Sequence, residues 1–503
     1  MSERPNIVFI LTDQQRYDTI AAMGFTHMNT PNLDRLAREG TTFENMYITA
    51  PSCAPSRASL FSGVYPHTNG VFRNDEPWNY CWVKDLAEGG YHTVNVGKMH
   101  TMPVEGPFGF HERHVVENKD RDHPNLPFYL DNWDKAYFLR GLQKPSRVSQ
   151  RERPDYENLL GAWVWEHDEI LHPDAFVGQM ACWWIDRYTG NDPFFLQIGM
   201  PGPHPPYDPT QEYLDLYKDK ELPKPIPTDI ATQPDAMRKL REFHLGEDAD
   251  GIVHLENPTT EQSRRQRAHY YANVTMIDRQ VGEILDALEQ RGVLDNTIII
   301  FTSDHGDCLG DHGHSQKWNM YEPTVRVPAL ISWPGRIPAG QRVTDLVALF
   351  DLGPTILEYA GIEPPSWMEA TSLQPYLVQV DGHRDVEVER QRVYAEHSND
   401  ALLTGTRFMT MIRDGTMKLV HFVDSDFGQL YDLNNDPDEQ INLWYVAEYV
   451  EIRAWMVNEI LKWRLESSLN TQGFVEACRK GEQALMTPPS GSPARGQHRE
   501  GSR

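Results

Sequence analysis

The chain has 503 residues, 39% hydrophobic and 24% charged, a balance that excludes a disordered or membrane-embedded protein and leaves room for a large core and more than one structural unit. Its net charge of −26 excludes a nucleic-acid surface, because phosphate would be repelled, and any anionic substrate must find positive charge locally. Five scattered cysteines (Cys53, Cys81, Cys182, Cys308, Cys478) without paired spacing argue against a disulfide framework or a zinc ribbon.

The apolar run from Ile7 to Leu11 is too short for a signal-peptide core, and no later run is long enough to cross a bilayer, so a cytoplasmic location with no membrane partner is expected. Asn6 to Thr12 reads as a strand buried on both faces of a parallel sheet. "TPNLDRLAREGTTFENMY" follows as a helix ended at Gly40 and a second strand. "CWVKDLAEGGYHTVNVGKMH" repeats the pattern, with a helix stopped by Gly89-Gly90 and a strand from His92 to Val96. "DPFFLQIGMPGPHPPYDP" supplies another strand and a proline-rich loop.

A helix is expected from about Glu261 to Arg291, with Ile277, Val281, Ile284, Leu285 and Leu288 on one face. It feeds a strand from Thr297 to Thr302 and the loop "SDHGDCLGDHGHSQK". This alternation predicts an α/β fold, a doubly wound and mostly parallel sheet flanked by helices, spanning residues 1–375. In such sheets ligands bind beyond the carboxyl ends of the strands, which puts Asp13, Gln14, Asp304 and His305 on one edge. Residues 376–477 read as a smaller C-terminal α+β unit, with a hairpin turning at Asp414-Gly415 and a helix near Ala447 to Leu465. Residues 478–503 read as a polar tail, either disordered or an oligomerisation arm. No internal repeat is found.

Asp13, Gln14, Asp304 and His305 offer carboxylate, amide and imidazole donors suited to one divalent cation, or else they are turn and cap residues. Cys53 reads alone as a buried, inert thiol; at a helix N-terminus it also reads as a nucleophile or a modified residue. The string Cys53-Ala54-Pro55-Ser56-Arg57 shifts that balance, since such a match arises by chance on the order of once in a thousand chains.

"TDQ" after the first strand, "CAPSRASLFSG", "GKMH", "GPHPPY", "TSDHGDCLGDH" with a following lysine, and "LYDLNNDPDEQINL" occur in one order between Asn6 and Leu443. In these motifs the chain resembles the sulfatases of the alkaline phosphatase superfamily. The resemblance implies an alkaline-phosphatase-like fold and conversion of Cys53 to formylglycine by a formylglycine-generating enzyme. The aldehyde hydrate would be the nucleophile, forming a covalent sulfo-enzyme intermediate whose spare hydroxyl expels sulfate. Asp13, Gln14, Asp304, His305 and the modified Cys53 would hold one divalent metal. Arg57 would support the nucleophile, and Lys98 and Lys317 would contact sulfate oxygens. His204 would be the general acid for the leaving group, His100 the base that collapses the hemiacetal, and Asn74 a further sulfate contact.

Asp13-Gln14 and Asp304-His305 resemble the branch of choline sulfatases and phosphonate monoester hydrolases or phosphodiesterases more than the Asp-Asp and Asp-Asn of many sulfatases. The imidazole favours manganese over calcium. The expected activity is hydrolysis of small anionic sulfate esters, aryl sulfates above all, with promiscuous attack on phosphodiesters and phosphonate monoesters. The alternatives are a phosphonate monoester hydrolase or phosphodiesterase, and an unmodified metal-stabilised binding protein. The resemblance also implies a homo-oligomer, dimer or tetramer. Trp133, Tyr137, Phe138, Trp163 and Trp165 are either core or the wall of a substrate pocket, where a choline-like cage is one reading.

Overall fold

The structure is a computed structural model that describes residues 4–117, 130–380, 383–384, 390–398 and 404–490. In chain order its main unit comprises β1 (Asn6–Asp13), α1 (Pro31–Glu39), β2 (Thr41–Tyr47), α2 (Cys53–Ser62), α3 (Val83–Glu88), β3 (His92–Gly97), β4 (Glu112–Val115), α4 (Pro173–Arg187), β5 (Phe194–Pro203), α5 (Thr260–Gln290), β6 (Thr297–Ser303), β7 (Arg326–Ser332) and β8 (Gln341–Ala348). The eight strands form one sheet in the order β4-β3-β5-β1-β6-β7-β2-β8. Pairing is parallel from β4 through β6; β7 runs antiparallel to both β6 and β2, and β8 is parallel to β2. This is the doubly wound, mostly parallel sheet expected from the sequence.

The unbroken apolar run of β1 follows from its central place, because successive side chains point to opposite faces and both faces are covered. Ile7, Phe9 and Leu11 join a core with Leu60 and Phe61 of α2, whereas Val8 and Ile10 pack with Val177 of α4 and Ile277, Val281 and Ile284 of α5. Truncating any one of these to alanine would cost about 2–5 kcal/mol.

The C-terminal unit is a four-stranded antiparallel sheet, β9 (Arg392–Ser398), β10 (Phe408–Asp414), β11 (Met417–Phe422) and β12 (Gln429–Asp432), followed by α6 (Val450–Asn470). The β10–β11 turn is Gly415-Thr416, one residue on from the expected Asp414-Gly415, because Asp414 still pairs with Met417. Val393, Met409, Met411 and Leu419 of this sheet belong to the same hydrophobic cluster as Ile7 and Phe9, so the two units share one core. A further helix, Gln472–Leu485, runs through residue 478, where the tail was expected to begin. "QGFVEACRKGEQAL" is rich in good helix formers, and that local preference outweighs the polar composition. Residues 491–503 lie outside the described residues. Among those described, no helix is long and apolar enough to cross a membrane.

Candidate active site

Four neighbouring strands, β3, β5, β1 and β6, end at one edge of the sheet. Their ends deliver Lys98 after β3, His204 after β5, Asp13 at the end of β1, and Asp304 and His305 after β6. Side by side they can come this close only where the backbone is bare. A Cβ on Gly199 of β5 would stand 1.7 Å from the Lys98 carbonyl oxygen, and one on Gly97 2.1 Å from that of Gly199.

The fifth contribution comes from α2. Cys53, Ser56 and Arg57 occupy positions i, i+3 and i+4, so one helix face carries all three toward β6. Pro55 fits the first turn, whose N–H groups have no helical partner. The Ser56 hydroxyl donates to the Asp304 carbonyl at 2.6 Å, and Arg57 Nε to Asp304 Oδ2 at 2.6 Å. Arg57 also reaches Asp13 at 3.9 Å and donates Nη1 to the Lys98 carbonyl at 3.0 Å. The Asn74 side-chain oxygen accepts from the Ala54 N–H at 3.1 Å and so caps this helix start.

Cys53 Sγ lies 2.9 Å from Lys317 Nζ, 3.1 Å from His305 Nε2 and 3.6 Å from Asp13 Oδ1. Lys98 is ion-paired to the other Asp13 oxygen. Asp13, Cys53, Asp304 and His305, all buried, offer ligand atoms within 4.8 Å of one another. His305 Nδ1 is bonded to the Gly306 carbonyl at 2.9 Å, which turns Nε2 into the site. Gln14 Nε2 donates to Asp307 Oδ2 at 2.7 Å, leaving Oε1 toward Lys317 at 2.9 Å. Two carboxylates, an amide oxygen and an imidazole fit a divalent cation of intermediate softness.

Burial works against every charge here, and opposite charges overcome it. Burial would raise the Asp13 carboxyl, but Lys98, His204, Lys317 and Arg57 hold it well below its ordinary range. Burial and Asp13 push the Cys53 thiol up; Lys317, His305 and Lys98 outweigh them and bring it below its usual value. Three buried cations, Arg57, Lys98 and Lys317, face two carboxylates, Asp13 and Asp304. In a chain of net charge −26 these cations offer local positive charge of the kind an anion needs.

His204 follows β5, with Nδ1 on the Pro205 carbonyl at 2.9 Å and Nε2 3.7 Å from Asp250 Oδ2. Burial and Lys317 push its imidazole well below the ordinary value, against the pull of Asp13 and Asp250. His100, two residues past Lys98, adopts φ 63° and is held by its N–H donating to Glu117 Oε2 at 3.0 Å. Gln14 likewise has φ 71°, its carbonyl held by the Tyr270 hydroxyl at 2.6 Å. Non-glycine residues in this region cost energy and concentrate where side chains must be aimed.

Asp307, Glu117 and Asp250 have no role in the sequence analysis, and Ser56 and Tyr207 stand there only inside their motifs. Asp307, which accepts from the Tyr207 hydroxyl at 2.5 Å, was within reach, since it lies in the quoted "SDHGD" two residues from His305. Asp250 comes from a loop with no motif. His312, His314 and Cys308 are buried loop residues outside the metal-ligand group, Cys308 lying beside Asn319 and Thr324. Of the aromatic segment, Trp133 and Tyr137 are core and Phe138 is 74% exposed, whereas Trp163 and Trp165 line a cavity of about 340 Å³ with Glu166 and Asp208; Lys144 lies over the face of Trp133 at 5.1 Å and Arg153 over that of Trp163 at 5.7 Å.

A family model described as Sulfatase matches residues 5–362, and one described as N-sulphoglucosamine sulphohydrolase, C-terminal, matches residues 310–466. The chain is 32% identical over 478 residues to an arylsulfatase of Clostridium perfringens (strain 13 / Type A), covering 91% of this chain and 94% of that one. It is also 32% identical over 461 residues to a choline-sulfatase of Rhizobium meliloti (strain 1021), covering 88% and 82%. The solved structure of a phosphonate monoester hydrolase of Agrobacterium radiobacter shares the fold, with a TM-score of 0.74 at 24% identity, over 92% of this chain and 96% of that one. The sulfatase match takes in all eight strands of the sheet and every residue gathered at its carboxyl edge, so the chain belongs to the sulfatase family of the alkaline-phosphatase-like superfamily and is a sulfuric ester hydrolase.

Proposed function

We propose that the protein hydrolyses sulfate monoesters, aryl sulfates above all, with Cys53 converted to formylglycine as the nucleophile and one divalent metal held by Asp13, Gln14, Asp304, His305 and the converted residue. The observation that carries this reading is the place of Cys53 Sγ, at the first turn of α2 within 3.1 Å of both Lys317 and His305. An inert structural thiol has no use for two charged partners at that range. When bound, the metal supplies a Lewis acid that lowers the nucleophile's pKa and offsets charge on the sulfate.

The chain's own groups do the rest. Lys317 and Lys98 hold sulfate oxygens, and Arg57 keeps both carboxylates in place. His204 Nε2 gives its proton to the leaving oxygen, and His100 takes the hydroxyl proton of the converted residue as sulfate departs. Asn74, already turned to the start of α2, offers its amide N–H to a further sulfate oxygen. Manganese suits the mixed donor set better than calcium.

Two measurements test this. Peptide mass spectrometry of protein made in its native host should find Cys53 converted; an intact thiol there would leave the metal-stabilised binding protein as the surviving account. An aryl sulfate should exceed the matching aryl phosphonate monoester in kcat/KM, with phosphodiesters and phosphonates as slower substrates. A large excess for the phosphonate would make phosphonate hydrolysis the main activity. The exposed Leu461, Leu465 and Leu469, four residues apart on α6, support a homo-oligomer, which light scattering would detect. The absence of a spanning helix among the described residues fits a cytoplasmic location, checked by fractionation.

A further inference from the structure

The turn that carries Asp250 is built with more restraint than a surface loop needs. Asp248 is held by Arg151 at 2.6 Å and by the Tyr156 hydroxyl at 2.7 Å, and Gln316 Nε2 donates to the Ala249 carbonyl at 2.8 Å. Gln316 precedes Lys317, so the turn is tied to the loop that carries a sulfate-binding lysine. Asp250 itself has φ 54°, a left-handed conformation that a non-glycine residue adopts at a cost. One of its carboxylate oxygens is fixed by Arg147 at 2.6 Å, and the other lies 3.7 Å from His204 Nε2.

The tautomer of His204 gives this contact meaning. Pro205's carbonyl oxygen, 2.9 Å from Nδ1, can only accept, so Nδ1 carries a hydrogen. In neutral His204 the Nε2 lone pair would then face a carboxylate; in the imidazolium an N–H faces it. The other charged groups acting on the ring are Lys317 and Lys98, which oppose the imidazolium, and Asp13, which favours it but is already engaged by Lys98 and Arg57. Asp250 is the other carboxylate that favours it, and it acts on Lys317 as well. An anionic group at the rim of an anion-binding site weakens substrate binding, so its presence needs a compensating role.

We propose that Asp250, braced by Arg147, is the positioning residue of the leaving-group acid, orienting the His204 ring and favouring the form that carries a proton on Nε2. The inference rests on the reading of His204 as that acid. In the step concerned, an oxygen of the converted Cys53 bonds to sulfur as the S–O bond to the leaving group breaks, its electron pair going to the leaving oxygen, which takes the Nε2 proton; His204 ends neutral and is reprotonated from water.

The test compares leaving groups on the full chain with Cys53 conversion and metal content verified. Asn fits the left-handed backbone and keeps the shape of Asp, so Asp250→Asn removes the charge alone. General-acid assistance is worth about 100-fold or more where the leaving group is poor and little where it is good. Asp250→Asn should therefore lower kcat/KM for phenyl sulfate at least about 10-fold more than for 4-nitrophenyl sulfate, and Asp250→Glu should restore part of the difference. Equal losses on both substrates, or no loss, would overturn the proposal. His204→Ala separates the two ideas. If it shows the leaving-group dependence and Asp250→Asn does not, His204 stands as the acid and Asp250 falls; if His204→Ala shows none, the acid assignment itself fails. In the His204→Ala background, Asp250→Asn should add no further leaving-group dependence.

Discussion

The molecule buries two clusters of charge, and they are built on opposite principles. Under the C-terminal sheet, Lys418 of β11 meets Glu322 at 3.0 Å and Glu439 at 2.7 Å, while the Tyr47 hydroxyl donates to Glu322 at 2.6 Å, Arg413 approaches Glu322 at 3.4 Å and Glu439 accepts from the Glu322 N–H at 2.7 Å. Lys418, Arg413 and, at 4.0 Å, Arg326 surround these two carboxylates, and the cluster closes on itself. At the sheet edge, Arg57 pairs with Asp304 and Asp13 and Lys98 with Asp13, while Lys317 and His305 turn to Cys53. A closed network fixes a fold; one that converges on a third group is arranged to receive something.

Substitutions should separate the two. Cys53→Ala, the largest effect, should reduce kcat/KM for an aryl sulfate by about 10⁴-fold or more while circular dichroism and Tm stay near those of the parent. Retained turnover would remove Cys53 from the chemistry. Lys317→Ala should cost about 100- to 1,000-fold in kcat/KM, the loss expected of a preorganised charge at a developing anion. Lys418→Met should act the other way. It leaves two carboxylates without their buried cation, so stability to urea should fall by about 3–5 kcal/mol, and kcat/KM of the fraction still folded should change less than about tenfold. A reversal of these two outcomes would dissolve the distinction.

The closed cluster also predicts a pH dependence. Burial, opposed by Lys418 and assisted by Glu322, raises the Glu439 carboxyl from 4.5 to about 7. The folded chain then holds this proton more tightly than the unfolded chain. The stabilisation is complete below the ordinary carboxyl value and is lost as pH rises through about 7, with a slope of at most about 1.4 kcal/mol per pH unit. Urea midpoints between pH 5 and 8 would show it, and Glu439→Gln should flatten that slope. The smallest effect belongs to Asn74→Ala, which removes a cap from α2. It should cost about 1 kcal/mol of stability and raise KM a few-fold; an unchanged KM would leave Asn74 a cap and nothing more.

The framework of the site was legible in the sequence because it is written in local patterns. β1, β3, β5 and β6 announce themselves as apolar runs, and the rule for ligand position in parallel sheets assigns chemistry to Asp13, Asp304 and His305 before any coordinates are known. Cys53, Ser56 and Arg57 are neighbours on one helical turn, so their spacing carries their common face. The supports were not legible. Glu117, Tyr270 and Asp250 act from elements far along the chain from the groups they hold, and nothing in a single sequence marks which loop folds back on which strand. The helix across residue 478 departs from the expected tail for another reason: the local helix preference of "EACRKGEQAL" outweighs its polar composition.

The place of Glu322 has a consequence for how such a chain can be recombined. It stands five residues after Lys317, yet its buried partners Lys418 and Glu439 belong to the C-terminal unit. The match to the C-terminal family description begins at residue 310, inside the loop that carries Lys317. A chimera joined near residue 375 would bring together a carboxylate from one parent and an ammonium from the other with no shared history of fit. A junction before residue 310 keeps Glu322 with its buried partners Lys418, Arg413 and Glu439 as one transferable piece, while it parts Lys317 from Gln14 and Cys53.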